Sequence, residues 1–572
     1  MRRIVKCSLT RSPKNTHSSA PWLDSAETLC AHGCGLLKEQ AAKNWSRIGR
    51  QDLGGTVMKY ALSIVALLLA TSQVQPAFAQ GSASDLVKQA VTAEGGANAL
   101  RGLKGLAVKG DAKFWEPGQS FAPGGEPRYL GDATFAITWD LAKGMARTEW
   151  NRNQEYPPPP IKINYTETLL PATGFVTDSK GSQPMSRIRI AAQLRELKRA
   201  SPRLMLDAMD DPDKVRVAEA EQLGKQSLPA VSFTDAGTKF TILFDRATHL
   251  PAAIRTRDDD NINGDSNYDL VPAGWTSVGG AQVAESLSYQ INGVEVGKLL
   301  YRTVTANPTI AADAFAIPDS VKATANAPAT SNVPYQWVLR RLFLTRFLES
   351  DAVIYPTGGG LKLVELAPNV QHVEGGTANN LIVAMKDYLV IFDAPYGELQ
   401  SRWTIDAAKA KYPGKPIKYL VLTHHHMDHT GGMRTYVAEG ATVIVPSPDK
   451  AYFEKDVKAA RTLVPDDLQK KPRPATITEV KDQMSLKDDT EEIRLYSIPN
   501  PHVQTMLIGY IVKSNIVYVT DLVSPRGPID RSDMTVSTGD ALRKYGISGA
   551  TLAGGHGTTV KQADIVAALA AN

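Results

Sequence analysis

The sequence predicts a multidomain chain of mixed α+β and α/β class: a β-rich N-terminal domain, then a domain in which strands and helices alternate. Three features carry that prediction. Runs such as LAVKGDAKF, ATFAITWD and KLLYRTVTA alternate apolar and polar residues and are separated by Gly, Pro, Asn and Asp, the pattern of half-buried strands. From residue 361 onward, strand pairs (LKLVELAPNVQHVEGG, NLIVAMKDYLVIFDAP) give way to a helical stretch, SRWTIDAAKAKY, and then to further strand–helix units. The third feature is LVLTHHHMDHTGG at 420–432, an apolar run that stops abruptly in a cluster of imidazoles and a carboxylate.

At 572 residues the chain exceeds one ordinary domain. Residues 58–79 read as a secretory signal peptide: a short basic start at Met58-Lys59, the apolar run ALSIVALLLA, and an Ala77-Phe78-Ala79 cleavage pattern. The apolar run is too short to span a membrane as a mature helix, so no stable span is expected after cleavage. Signals normally begin a chain, so residues 1–57 are expected to be a mis-called N-terminal extension, which peptides from Arg2–Val57 in the cellular protein would refute. Cys7, Cys30 and Cys34 all lie in that leader, and a cysteine-free remainder suits an oxidising compartment, periplasmic or secreted. Without residues 1–79 the chain carries 54 Lys/Arg and 55 Asp/Glu. The basic balance is thus a property of the leader, and a nucleic-acid partner gains no support.

Residues 80–320 form the expected β-rich domain. It opens with an amphipathic helix, SDLVKQAVTAEGGANAL, with Ser84 as N-cap and an end at Gly95-Gly96. Eight strand-like runs follow, interrupted by one helical insert over 188–208. Asp259-x-Asn261-x-Asn263-Gly264 copies the opening of a calcium loop. Its twelfth position is Leu270 where a bidentate Glu is needed, so a polar hairpin tip is the better reading. The phrases TKFTILFDRATHLPAAI and LSYQINGVEV resemble the lipoprotein-carrier type of half-barrel. That resemblance implies either a curved sheet clasping an apolar ligand or a scaffold without one. Residues 321–360 are the linker and a packing helix, WVLRRLFLTRFLES, with Val338, Leu339, Leu342, Phe343 and Phe347 on one stripe.

Residues 361–572 hold the chemistry. His424 and His426, two apart on an extended loop, point the same way and suit one metal; Asp428 and His429 suit a second. Two ions need further ligands. His502 follows the turn Ile498-Pro499-Asn500-Pro501 and precedes the strand-like MLIGYIV, and Asp521 and His556 end the runs NIVYVTDL and GATLAGGHG, so each lies at a strand tip, where a sheet gathers its side chains. Of the eight histidines past residue 79, five occupy these positions, leaving His249, His372 and His425. The order and context resemble the metallo-β-lactamase superfamily. The resemblance implies an αβ/βα four-layer sandwich with His424, His426 and His502 at one metal, Asp428, His429 and His556 at the other, and Asp521 bridging. It also implies two Zn²⁺ per chain (or another divalent metal) and hydrolysis by a metal-activated hydroxide, with Asp428 and Asp521 as catalytic carboxylates.

Asp393, closing LVIFDAP, resembles the family's early strand-end Asp and would orient a ligand; turn-capping is its ordinary alternative. His425 reads as a bystander or supporting group. Residues 446–474 hold no strand-like run and are expected to cap the site. Arg526 and Lys513 could meet an anionic group, with surface charge as the plainer reading. The absence of a cysteine near Asp521 excludes thiolate-containing β-lactamase sites and leaves a small-molecule ester, lactone, thioester or β-lactam as substrate class. A lipid- or lipoprotein-binding module with an auxiliary metal domain is the alternative.

Overall fold

The computed structural model describes residues 82–328, 360–376, 378–525 and 527–571. The expected extension, the signal peptide, the packing helix and Arg526 lie outside the described residues. The first described helix, Ala83–Ala93, is capped by Ser82 and not by Ser84: the Ser82 hydroxyl accepts from the Asp85 N–H. Its buried stripe is Leu86, Val87, Ala90 and Val91.

Thirteen antiparallel strands form one sheet, from Gly105–Glu116 to Val294–Ala306, and this first strand pairs with this last one. Five of the thirteen escape the alternation pattern: Ile161–Leu170, Thr173–Asp178, Gly181–Pro184, Val215–Leu223 and Gly264–Val278. Val215–Leu223 is an edge strand with little buried surface, so its sequence needs no apolar face. Gly264–Val278 contains Pro272 and Gly274, which read as breakers in isolation. The single helical insert is in fact two helices, Arg187–Arg199 and Leu204–Asp210. Pro202 lies in the break; its ring and missing N–H end the first helix.

These helices fill the inner face of the sheet. Ile188, Ala192, Leu204, Met205 and Ala208 pack with Phe114, Phe135, Trp139, Phe240 and Leu270 in one core. The cavity left among Leu106, Trp139, Met205, Trp275 and Tyr301 is about 50 Å³. That is room for a water or two and not for an acyl chain.

In the second domain, seven strands from Lys362–Ala367 to Ile477–Val480 form one sheet, and six from Gln483–Lys487 to Thr559–Lys561 form another. Val383, Val390 and Val421 of the first share a core with Ile493, Leu507 and Tyr518 of the second. The first sheet also packs on Ile405, Ala408, Tyr436 and Phe453, and the second on Ala541, Leu542 and Ile565. Strands covered on both faces carry near-continuous apolar runs, which is why Leu389–Phe392 reads LVIF without alternation. Among the described residues no helix is long and apolar enough to cross a membrane.

The domains meet through buried polar groups. The hairpin around Asp259–Gly264 enters the 446–474 segment. There the Arg461 guanidinium donates to both Asp259 carboxylate oxygens (2.9 and 3.0 Å) and to the Asp260 and Asn261 carbonyls (2.7 Å each). The calcium-like string is therefore a hairpin tip, as expected, but a buried one whose Asp259 carboxylate is already engaged by an arginine. The 446–474 segment is fixed to the other domain at Arg461 and anchored in the core by Phe453, a clamp more than a free cap.

Candidate metal centre

The strand Ile417–Val421 ends three residues before His424, and the chain bends at His424 and His425 before His426, which sits as N-cap of the short helix Met427–Thr430. Asp428 and His429 ride on that helix. The remaining groups follow strand ends: His502 after Glu492–Ile498, Asp521 directly after Ile516–Thr520, and His556 after Thr551–Gly554. All seven side chains singled out by the sequence converge. His424, His426, His502 and Asp521 form one group and Asp428, His429 and His556 another, each with its ligand atoms within 4.8 Å of one another. Asp521 joins them: Oδ2 lies 3.1 Å from His502 Nε2, and Oδ1 lies 2.7 Å from His429 Nε2 and 3.3 Å from His556 Nε2.

Hydrogen bonds on the outer edges of the rings decide which nitrogen faces inward. His426 Nε2 lies 3.0 Å from the Ser120 carbonyl, which can only accept. Its Nδ1 is therefore the lone-pair end, 3.0 Å from His502 Nε2. Thr423 Oγ1 donates to Asp393 Oδ2 at 3.1 Å and accepts from His424 Nδ1 at 3.0 Å, which leaves His424 Nε2 facing the cluster. That Nε2 is buried with no hydrogen-bond partner among the described residues. His429 Nδ1 donates to Asp393 Oδ2 at 2.9 Å.

Asp393 is thus an orienting group. It also accepts from the Thr423 N–H (2.9 Å) and the Tyr518 hydroxyl (3.1 Å). It sits at φ 60°, a conformation a non-glycine residue holds only when its surroundings fix it.

The electrostatics favour cations. Burial, reinforced by neighbouring imidazoles, holds His424 and His426 well below the ordinary histidine range, so both are neutral ligands at pH 7. Burial would also lower His429, but the carboxylates of Asp521, Asp393 and Asp428 carry it well above that range. Burial would raise Asp521, yet the facing His429 and His556 keep it well below the carboxylate range. Neutral imidazoles and ionised carboxylates, with no thiolate, make a donor set that fits zinc or a neighbouring divalent ion.

Two further residues stand outside the metal ligands. Lys513 lies in the turn before Ile516–Thr520, at the opposite end of that strand from Asp521, and its Nζ donates to the Asp489 carbonyl. It is a surface charge. His425 is buried, with Nε2 2.9 Å from the Ser120 carbonyl and Nδ1 3.8 Å from Asp449, and stays outside both groups. Gln119, Ser120, Arg128 and Tyr156, all from the N-terminal domain, reach the centre, and the sequence analysis singles out none of them.

The family model "Metallo-beta-lactamase superfamily" matches residues 374–570. Among solved structures, the chain is similar to a metallo-beta-lactamase from Pontibacter korlensis (16% identity over 36% of this chain and 95% of that one, TM-score 0.29). It is also similar to one from Hirschia baltica (16% identity, 36% and 94% covered, TM-score 0.29). The mono-zinc form of FIM-1 from Pseudomonas aeruginosa gives 14% identity, 36% and 92% covered, and TM-score 0.29. A search of curated proteins finds no match. The match to that family model, over residues 374–570, encloses all seven converging residues.

Proposed function

We propose that this chain is an exported dinuclear zinc hydrolase acting on an ester, lactone, thioester or β-lactam. The observation that carries this is the convergence of seven His and Asp side chains in two groups that share Asp521. In this reading the two sheets and their outer helices are an αβ/βα sandwich. His424, His426 and His502 hold one ion, Asp428, His429 and His556 the other, and Asp521 bridges. When bound, such ions supply Lewis acidity and an activated water at neutral pH.

The chain's own groups do the rest. Asp521, ionised between His429 and His502, fixes the spacing of the two groups. Asp428 presents Oδ2 toward His556 (3.6 Å), near the more open side of the site, where His556 keeps 16% of its side chain exposed. It is the carboxylate placed to orient an attacking water and hold its proton. No Ser or Cys nucleophile is required. Export rests on the signal-like pattern of residues 58–79.

The test is metal analysis of the purified protein, beside turnover of chromogenic esters, lactones, thioesters and a cephalosporin. We expect two equivalents of zinc and turnover that His426→Ala abolishes. A protein that carries no divalent metal, or hydrolysis that survives His426→Ala, would overturn the reading.

A further inference from the structure

The turn between the strands Gly105–Glu116 and Arg128–Asp140 leaves the N-terminal sheet and lies against the ligand loop of the other domain. Gly118 comes so close to Met427 that a Cβ there would sit 3.0 Å from its Cγ and Sδ. The next residue, Gln119, is buried and used at both ends. Its Nε2 donates to Asp428 Oδ1 at 2.5 Å, and its Oε1 accepts from the Tyr156 hydroxyl at 2.8 Å. Its carbonyl accepts from Arg128 Nε. The Ser120 carbonyl accepts from Nε2 of His426 and of His425. Arg128 donates a second time, to the His502 carbonyl at 2.7 Å, and lies over the Tyr156 ring, which stacks on His502.

We propose that this turn completes the metal centre from the neighbouring domain, with Gln119 and the Ser120 carbonyl as positioning groups. A carboxylate has two equivalent oxygens and a free rotation; an amide donor on one of them removes both freedoms. With Oδ1 held by Gln119, Asp428 presents Oδ2 to His556 and His429 (3.6 and 4.0 Å). An imidazole likewise has two tautomers, and the Ser120 carbonyl selects the one with Nδ1 inward on His426. The role of the large N-terminal sheet then includes holding two ligands of a site otherwise built by residues 374–570. This rests on reading the cluster as a dinuclear site.

The experiment is a zinc titration of the full chain against a chromogenic chelator, with the absorption spectrum of the cobalt-substituted protein alongside. Gln119→Leu keeps the volume and removes the donor. We expect the second equivalent to bind about 10- to 100-fold more weakly, the range for partners that orient metal ligands, while the first is unchanged. Tyr156→Phe keeps the ring and frees only Gln119 Oε1, so its loss runs in the same direction and is smaller; it also serves should Gln119→Leu not fold. A merely structural role would lower the melting temperature of the metal-free protein and leave the ratio of the two affinities alone. Two equivalents bound by both variants as tightly as by the parent, with an unaltered cobalt spectrum, would overturn the positioning role alone. A parent that binds fewer than two would remove the dinuclear reading itself.

Discussion

The two halves of the metal centre are built on different physics. His424, His426 and His502 are three imidazoles sealed from solvent, two of them kept neutral by burial. Asp428, His429 and His556 mix carboxylate with imidazole; Asp428 and His556 keep some exposure, while His429 is fully buried with its pKa carried well above the ordinary range by neighbouring carboxylates. The first half presents lone pairs that an ion can take without displacing a proton from His424 or His426. In the second, an ion must replace the His429 proton, so its affinity carries a proton-release cost that rises as pH falls. The first site should therefore fill first and empty last. Besides Asp521, Asp393 serves both halves, bonded directly to His429 and through Thr423 to His424.

Breaking the link between the halves should have the largest effect. Asp521→Ala removes the carboxylate that lies between His429, His502 and His556 and joins the two groups. Zinc content should fall below one equivalent. Activity should drop by more than about 100-fold, beyond the range typical of a supporting partner. Two tightly held equivalents in this variant would show that the halves are independent. Asp393→Asn should act next in size. It removes the anion at His429 Nδ1 and disturbs the Thr423 hydroxyl that orients His424. We expect the second equivalent to weaken by about 10- to 100-fold and the first by less, read in the same chelator titration. Equal losses at both sites would mean that Thr423 carries as much of the orientation as the direct bond.

Why one half of the protein was so much more legible than the other follows from the same contrast. Metal ligands must be a few residue types, and strand ends must bring them together, so His424, His426, Asp428, His429, His502, Asp521 and His556 could be picked out as a set. Their partners need only a donor or an acceptor. Ser120 contributes a backbone carbonyl, which any residue has, and Gln119 an amide on a turn some three hundred residues away. Asp393 showed itself only as a strand-end acid. The same holds for the folds. Strands buried on both faces, such as Leu389–Phe392, need unbroken apolar residues, whereas Val215–Leu223 at a sheet edge can be built of nearly anything. The helical insert of the N-terminal sheet was visible, but not that it is two helices, Arg187–Arg199 and Leu204–Asp210.

The smallest of these effects is a pH dependence of the metal-free protein, and it separates the halves without a mutation. His424 and His426 have folded pKa values depressed by burial and by neighbouring imidazoles. Below the unfolded value, about 6.5, the unfolded chain therefore binds more protons than the native state. Their stabilisation is complete above that pH and is lost as pH falls. His429 has the opposite sign: burial is outweighed by Asp521, Asp393 and Asp428, so its folded pKa lies above its unfolded one. Its stabilisation is complete below about 6.5 and is lost as pH rises through the folded value. Asp521, held below its ordinary range, changes only at much lower pH and is silent in this window. Stability in the presence of chelator should therefore pass through a maximum between about pH 6.5 and 7 and decline on both sides, with a limiting slope of about 1.4 kcal/mol per pH unit for each net proton exchanged. Urea midpoints measured from pH 5 to 8 test it. His424→Ala should flatten the acid limb only, and a parent curve that rises steadily to pH 8 would mean that His429 is not protonated beside Asp521.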